Sequence, residues 1–466
     1  MKRPLPVPFW ISSLSSPLPS TSSLQERISS LFSPEFLYES LSKAPWNFRD
    51  RTLTIEIMLF SMIYLVMNRL TSFLSIIDRL RSGDVPGISA IQFKNQSFYD
   101  RLKNIPNAMF IQVLCDVSKS ISASSRHYRR IWIEKMVPFA EHIYAIDDTT
   151  LDEILRRNKF KEINGKSSQI NLGGRLACAL DLVTCQFAGI LYTTNSTENE
   201  KAHVRPLLEG LGAGNMYIFD LGYFSFQFFD YLTERHSYFI SRLKDKITYK
   251  TIYTLAENSN YRDRVVYLGK YRSDQGAYPV RLVEILIENK WYAYVTNVLS
   301  PKKLNAGSIF VLYKQRWNIE MTFAAIKKGL GMSFIHLSHI NGVLIQIWST
   351  LITYQILQDL RLEIAYRSGW KEDDVSWEIL IKRIGWYVER PREESLREWL
   401  VTNGEKLSIK KRGVRERGIK EVPSEIRKEI EKAEECEKEE LLQARPARQG
   451  DPSQTEPSLF LLVLLN

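Results

Sequence analysis

Tyr313, Arg316, Glu320 and Lys327 follow one another at offsets of three, four and seven. At 3.6 residues per turn those offsets place all four side chains along one helix face. Three of them are charged, yet the stretch around them is apolar, with Leu312, Trp317, Ile319, Met321, Phe323 and Ile326. Such a stripe faces solvent or a cleft. Read alone, a salt-bridged exposed face with Arg316 and Glu320 as an i,i+4 pair is the simpler account.

Two more acidic residues change the weighing. Asp147 follows the apolar run Ile143–Ile146, and Asp220 follows Met216–Phe219. Carboxylates at the ends of neighbouring strands would lie close together, and Glu320 on a helix packed beside them would make a cluster of three. Such a cluster repels itself unless cations neutralise it. Mg²⁺ or Mn²⁺, hard ions with oxygen ligands, suit that role. Two such ions can activate an attacking water or hydroxyl and stabilise the leaving oxygen at phosphorus. Arg316 and Lys327 would then suit phosphate oxygens.

The elements that must position these residues show in the changing period of the chain. Residues 1–30 are a Ser/Pro-rich arm, and 31–140 read as a helical N-terminal domain, with Ile57, Phe60, Tyr64 and Met67 at helical spacing. Within it, Ser124–Lys135 is a basic helical segment with Arg126, His127, Arg129 and Arg130, suited to DNA or to a solvated face. From 141 to 243 the order is strand, strand, strand, helix, strand, helix, strand, the part that carries Asp147 and Asp220. Residues 244–305 form a β-rich insertion, with strands Val265–Tyr271, Pro279–Ile287 and Trp291–Val298. The helical period returns over 306–400, and 401–466 is a charged tail, basic from Lys406 to Lys420 and mainly acidic from Glu421 to Glu440.

Composition narrows the classes. The 466 residues are 44% hydrophobic and 25% charged, which excludes wholesale disorder. Four cysteines without CxxC spacing and six scattered histidines exclude a disulfide scaffold and argue against structural zinc. That usage fits a reducing, cytoplasmic setting. The 63 Lys and Arg against 53 Asp and Glu give a net charge of +10, a bias toward a polyanionic partner. The apolar stretch Leu53–Leu65 is shorter than the roughly 20 residues a spanning helix needs, so no membrane partner is expected.

Several motifs together resemble the cut-and-paste DDE transposases of bacterial insertion sequences, of the IS-four type. The pattern Tyr-x2-Arg-x3-Glu-x6-Lys is met by Tyr313, Arg316, Glu320 and Lys327. Asp220-Leu221-Gly222-Tyr223-Phe224-Ser225 matches the stretch around the family's second aspartate. Asp147-Asp148-Thr149-Thr150-Leu151 resembles the stretch around the first. Tyr294–Val298 and Asn341–Ile347 are similar too, and the resemblance covers about residues 50–365. It implies an α/β fold, a ribonuclease-H-like mixed sheet flanked by helices. It further implies that Asp147, Asp220 and Glu320 are catalytic and hold two Mg²⁺ or Mn²⁺ ions, and that Tyr313, Arg316 and Lys327 contact DNA. The implied activity is binding of terminal inverted repeats, DNA cleavage and joining of 3′ ends to target DNA, by a homodimer on double-stranded DNA. Either adjacent aspartate can be aligned as the first. Strand neighbours face opposite sides, so only one can serve, and Leu151, four positions after Asp147, favours Asp147.

Other residues weigh less. Asp181 reads as a strand or turn residue, His336 and His339 as loop or helix histidines without a third ligand, and Trp317 as core. A metal-dependent nuclease without strand transfer, or an inactive DNA-binding descendant, would carry much of the same sequence.

Overall fold

The structure is a computed structural model. It describes residues 52–443 apart from 71, 86–87, 125–129, 152–173, 194–199, 272–274, 333–338, 390–395 and 412–422. The Ser/Pro-rich arm, Arg126, His127, Arg129 and His336 fall outside the described residues.

The described residues open with five helices, α1 (Ile55–Met67), α2 (Phe73–Ser82), α3 (Asn95–Asn104), α4 (Ala108–Ser124) and α5 (Ile131–Met136). Their ends follow from short polar residues and glycine. The Thr54 hydroxyl accepts from the Ile57 amide, the Ser72 hydroxyl accepts from the Leu74 amide, and Gly83 closes α2 at φ +78°.

Among the described residues, nine strands then form one mixed sheet. They are β1 (Ile143–Thr150), β2 (Arg175–Asp181), β3 (Phe187–Thr193), β4 (Met216–Phe219), β5 (Tyr238–Arg242), β6 (Tyr249–Glu257), β7 (Tyr261–Leu268), β8 (Val280–Ile287) and β9 (Lys290–Thr296), in the order β3-β2-β1-β4-β5-β9-β8-β7-β6. The first three are antiparallel, whereas β1, β4 and β5 run parallel. Helices α6 (Glu200–Glu209) and α7 (Phe226–Glu234) make the two crossovers that parallel pairing requires. This is the ribonuclease-H-like arrangement the resemblance implies. The insertion strands do not form a separate module: β9 pairs antiparallel with β5 and carries the sheet on through β8 and β7 to β6.

Alternation along β1 divides the core. Ile143 and Ala145 face a layer built from the N-terminal helices and the later helices, while Tyr144 and Ile146 face the aromatic layer under α6 and α7. After the sheet come α8 (Ala306–Gln315), α9 (Trp317–Ala324), a π-turn (Ala325–Gly329), α10 (Ile340–Ser368), α11 (Trp377–Glu389), α12 (Leu396–Asn403) and α13 (Ser424–Gln443).

Helix α10 is long and apolar enough to cross a membrane, but 83% of its most apolar window is buried inside the protein, so it reads as the central core helix. Its polar side chains are answered within the fold: the Gln355 side-chain oxygen accepts from the Phe187 amide at 2.9 Å, and Thr353 donates to the Ser349 carbonyl at 2.8 Å. At its start, the Asn341 amide group donates to the carbonyls of Leu102 and Ile105 at the end of α3, docking the N-terminal helices on the core.

The charged tail also acquires structure. Ile426, Ile430 and Ala433 form a buried stripe on α13, which packs against α5 and α8.

Candidate active site

Asp147 has the facing of Ile143 and Ala145, so its carboxyl turns toward the layer containing α9. Asp148 turns the other way, to Arg175, with Nε to Oδ2 at 2.8 Å and little exposure of either side chain. The parallel register of β1 and β4 ends at Ile146 opposite Phe219, and Asp220 is the next residue after that pair. Its position is fixed from behind. A 3₁₀ turn, Leu221–Tyr223, follows at once, and Tyr223 and Phe224 are buried, Tyr223 against Phe219 and Phe224 against Phe229. The aromatic pair after the aspartate anchors the chain so that the acid itself stays half-exposed, at 47%.

The third carboxyl comes from a rod of three segments rather than one helix. Helix α8 is capped by Asn305, whose side-chain oxygen accepts from the Ser308 amide at 2.6 Å. The Glu429 carboxylate on α13 accepts from the Gly307 amide at 2.7 Å. Buried Arg281 holds Asp263 through two hydrogen bonds and donates to the Leu304 carbonyl, tying the insertion strands to the entry of α8. At Arg316 the backbone tightens to i,i+3 bonding, with the Arg316 amide on the Tyr313 carbonyl and the Ile319 amide on the Arg316 carbonyl. Ile319 and Phe323 then bury one face of α9.

This brings Asp147, Asp220 and Glu320 onto a single guanidinium. Arg316 Nη2 lies 2.7 Å from Glu320 Oε1 and 3.9 Å from Asp220 Oδ1, and Nη1 lies 3.8 Å from Asp147 Oδ2. Tyr313 joins them, its ring 5.7 Å from the Arg316 guanidinium carbon and 5.2 Å from the Tyr294 ring of β9. Burial pushes the Tyr313 phenol up. Burial is also the main influence on Asp147: it pushes that carboxyl up to about 7, against the opposing pull of the Asp148 amide and Arg316.

Lys327 lies beyond a change of pitch. The Leu330 amide reaches back five residues to the Ala325 carbonyl, so Lys327 sits on a π-turn, half-buried, and straight α-helical spacing from Glu320 does not hold there.

Other sequence expectations resolve as follows. Asp181 is structural: its Oδ1 accepts from the amides of Val183 and Thr184, and Oδ2 lies 3.7 Å from His142. His339 caps α10, its Nδ1 accepting from the Gly342 amide. Trp317 is not core; it is 57% exposed, beside exposed Met321. One helical turn of α9 places both on the ridge next to Glu320. Arg130 is not on a solvated basic face either. It donates to Glu372, which also accepts from Arg361 and Gln358. Burial alone would raise the Glu372 carboxyl, but the two guanidiniums overcome it and hold the group down at about 2.

A cleft of about 190 Å³ opens on the other flank of α9, lined by Asn318, Thr322, Tyr354, Arg361, Glu372 and Trp377. Its charged floor is internally paired, with Glu372 on Arg361, and Glu320 projects from another face of α9. Sequence spacing also gave no sign of Cys178, a buried thiol directly opposite Asp147 across β1 and β2.

Among the described residues, no three acidic, histidine or cysteine side chains already stand in metal-ligand geometry. The donor set on Arg316 is nevertheless three carboxylates held within or directly beside regular elements, one of them desolvated, which is the oxygen chemistry Mg²⁺ and Mn²⁺ take.

Residues 139–356 match the family model described as a transposase DDE domain. This stretch of the chain is similar to the DDE domain of transposases. Asp147, Asp220, Glu320 and the insertion strands all fall inside the matched stretch of this domain. A protein of Sinorhizobium fredii (strain NBRC 101917 / NGR234) named "Putative transposase y4zB" is 26% identical over 153 residues, covering 31% of this chain and 42% of that relative. The solved piggyBac transposase synaptic complex with hairpin DNA overlays 94% of this chain and 87% of that one, at 12% identity and a TM-score of 0.37, too slight a likeness to carry an argument.

Proposed function

We propose that this protein is a DDE transposase that binds the terminal inverted repeats of an insertion sequence, cleaves DNA and joins the 3′ ends to target DNA. The observation that carries the reading is the convergence of Asp147, Asp220 and Glu320 on Arg316 inside the matched domain. In this reading the three carboxylates hold two Mg²⁺ or Mn²⁺ ions. When bound, such ions supply activation of the attacking water or hydroxyl and stabilisation of the leaving oxygen. The protein's own part is positional. β1 and β4 set two acids side by side, α9 brings the third, and Tyr313, Arg316 and Lys327 hold the phosphate backbone near the cut. The net charge of +10 supplies further phosphate contacts, each adding a slope of about −0.9 in log affinity against log salt. Two ends joined together imply a homodimer on DNA.

The test is a duplex carrying the element's terminal sequence, incubated with Mg²⁺ and a target plasmid. Nicked and joined products are expected from the wild type and neither from Glu320→Gln, which keeps shape but loses the ligand charge. Nicking without joining would reduce the activity to that of a metal-dependent nuclease, and a Gln variant that cuts normally would remove Glu320 from the chemistry.

A further inference from the structure

We propose that Arg316 is an internal counter-ion that competes with divalent cations for Asp147, Asp220 and Glu320, and so sets the affinity of the cluster for them. The inference rests on the reading of these three acids as cation ligands.

Arg316 touches all three carboxylates, but unequally. Only Glu320, at 2.7 Å, is within hydrogen-bond distance; the other two contacts are 3.8 and 3.9 Å, ion pairs without close donation. The guanidinium is therefore held firmly on one acid and loosely on two. Its own side chain is only 12% exposed, against 47% for Asp220 and 31% for Glu320, so the positive charge sits on the inner side of the cluster and the acids open outward. It cannot drift far. The backbone at Arg316 is the junction of α8 and α9, and the Tyr313 ring stands beside the guanidinium.

One guanidinium carries a single positive charge for three potential negative ones. The protein thus tempers the repulsion of the cluster without neutralising it. A divalent cation would use the same oxygens and would face the repulsion of the fixed guanidinium. Arginine contacts and cation binding therefore oppose one another. Once the carboxylates turn to a cation, the guanidinium's forked donors are released for another anion. A phosphate is the anion whose geometry fits that fork. Because such coupling is reciprocal, phosphate capture by Arg316 would in turn favour the cation-bound cluster.

The test is calorimetric titration of the full chain with Mn²⁺ alone at pH 8, comparing wild type, Arg316→Gln and Arg316→Lys. The Gln variant is expected to bind Mn²⁺ roughly five- to tenfold more tightly, and the Lys variant, which keeps the charge, to stay within about twofold of wild type. Should the Gln variant unfold without cation, Mn²⁺ is expected to restore its melting transition by replacing the lost counter-ion; a variant unfolded with and without Mn²⁺ overturns the proposal. A folded Gln variant that binds Mn²⁺ no more tightly than wild type also overturns it, and leaves the functional reading standing. A wild type that takes up no Mn²⁺ defeats the functional reading itself.

Discussion

Asp147 and Asp148 are adjacent in β1 but answer different arginines: the first lies 3.8 Å from Arg316, the second 2.8 Å from Arg175. The pleat separates a carboxyl in the cluster from one committed to an ion pair on the opposite side of the sheet. The two asparagine variants should differ in kind. Asp147→Asn is expected to abolish nicking while leaving the protein as stable as before at neutral pH, since the amide carries no charge to desolvate. Asp148→Asn removes a charge paired with the poorly exposed Arg175, at a cost of about 1–3 kcal/mol, while cleavage per folded molecule persists. Thermal melts paired with nicking assays check both, and the reverse pattern would transfer the role to Asp148.

The raised Asp147 carboxyl gives a pH signature. A group whose value lies near 7 when folded and near 4 when unfolded binds its proton more tightly in the fold. With chelator present, its contribution to stability is greatest below about pH 4, falls as pH rises toward about 7, and is level above that. A cation held by this carboxylate must displace the proton. The rise in melting temperature produced by Mg²⁺ should therefore grow between about pH 5 and 7 and then flatten. An Mg²⁺ effect independent of pH across that range would detach Asp147 from the ion.

Glu372 titrates with the opposite sign. Held at about 2 by Arg130 and Arg361 despite its burial, it stabilises the fold above its ordinary carboxylate range, and that contribution is lost as pH falls from about 4.5 to about 2. Glu372→Gln leaves Arg130 and Arg361 without their buried counter-charge, with only exposed Asp373 near Arg361, and is expected to destabilise by about 3–5 kcal/mol. Denaturant titration at pH 7 measures this. A loss below about 1 kcal/mol would mean the arginines find other partners.

Trp317 offers a contrast. With 57% of its surface exposed, Trp317→Ala should change stability by no more than about 0.5 kcal/mol. Its place next to Glu320 makes its fluorescence a reporter: duplex DNA should quench it, and the quenching should fade as salt rises. A signal indifferent to DNA would place the bound duplex away from this ridge.

The seat of α8 is similarly open to test. A Cβ at Gly307 would stand 2.5 Å from Glu429 Cβ, so Gly307→Ala must push α13 away or shift α8. Loss of about 1–3 kcal/mol is expected, with faster proteolysis between α12 and α13. An unchanged digestion pattern and melt would show the contact to be dispensable.

Much of the sheet was legible because its strands bury at least one face. The apolar run Met216–Phe219 has the boundaries of β4, and the shift of period just before residue 143 marks the real start of β1. β6 was missed because nearly all of it is exposed, so no apolar alternation marks it. Trp317 was misread for a related reason: an aromatic in an apolar stretch looks like core until the helix's facing is known. Arg130 was read as surface because a buried arginine is legible only through Glu372, its partner 242 positions away. Spacing did align Tyr313, Arg316 and Glu320. It could not foresee the π-turn at Lys327, which arises where the rod meets the later helices.

The hydrogen bond from Gly307 to Glu429 spans 122 positions of chain. At roughly 5–20 residues per second, the ribosome delivers the acceptor on the order of ten seconds after the donor. Throughout that interval the segment bearing Arg316 and Glu320 is already made but lacks the helix it rests on. The nascent polypeptide thus completes the setting of these side chains only once α13 has emerged, and a message broken between α8 and α13 yields a product whose acidic cluster was never braced.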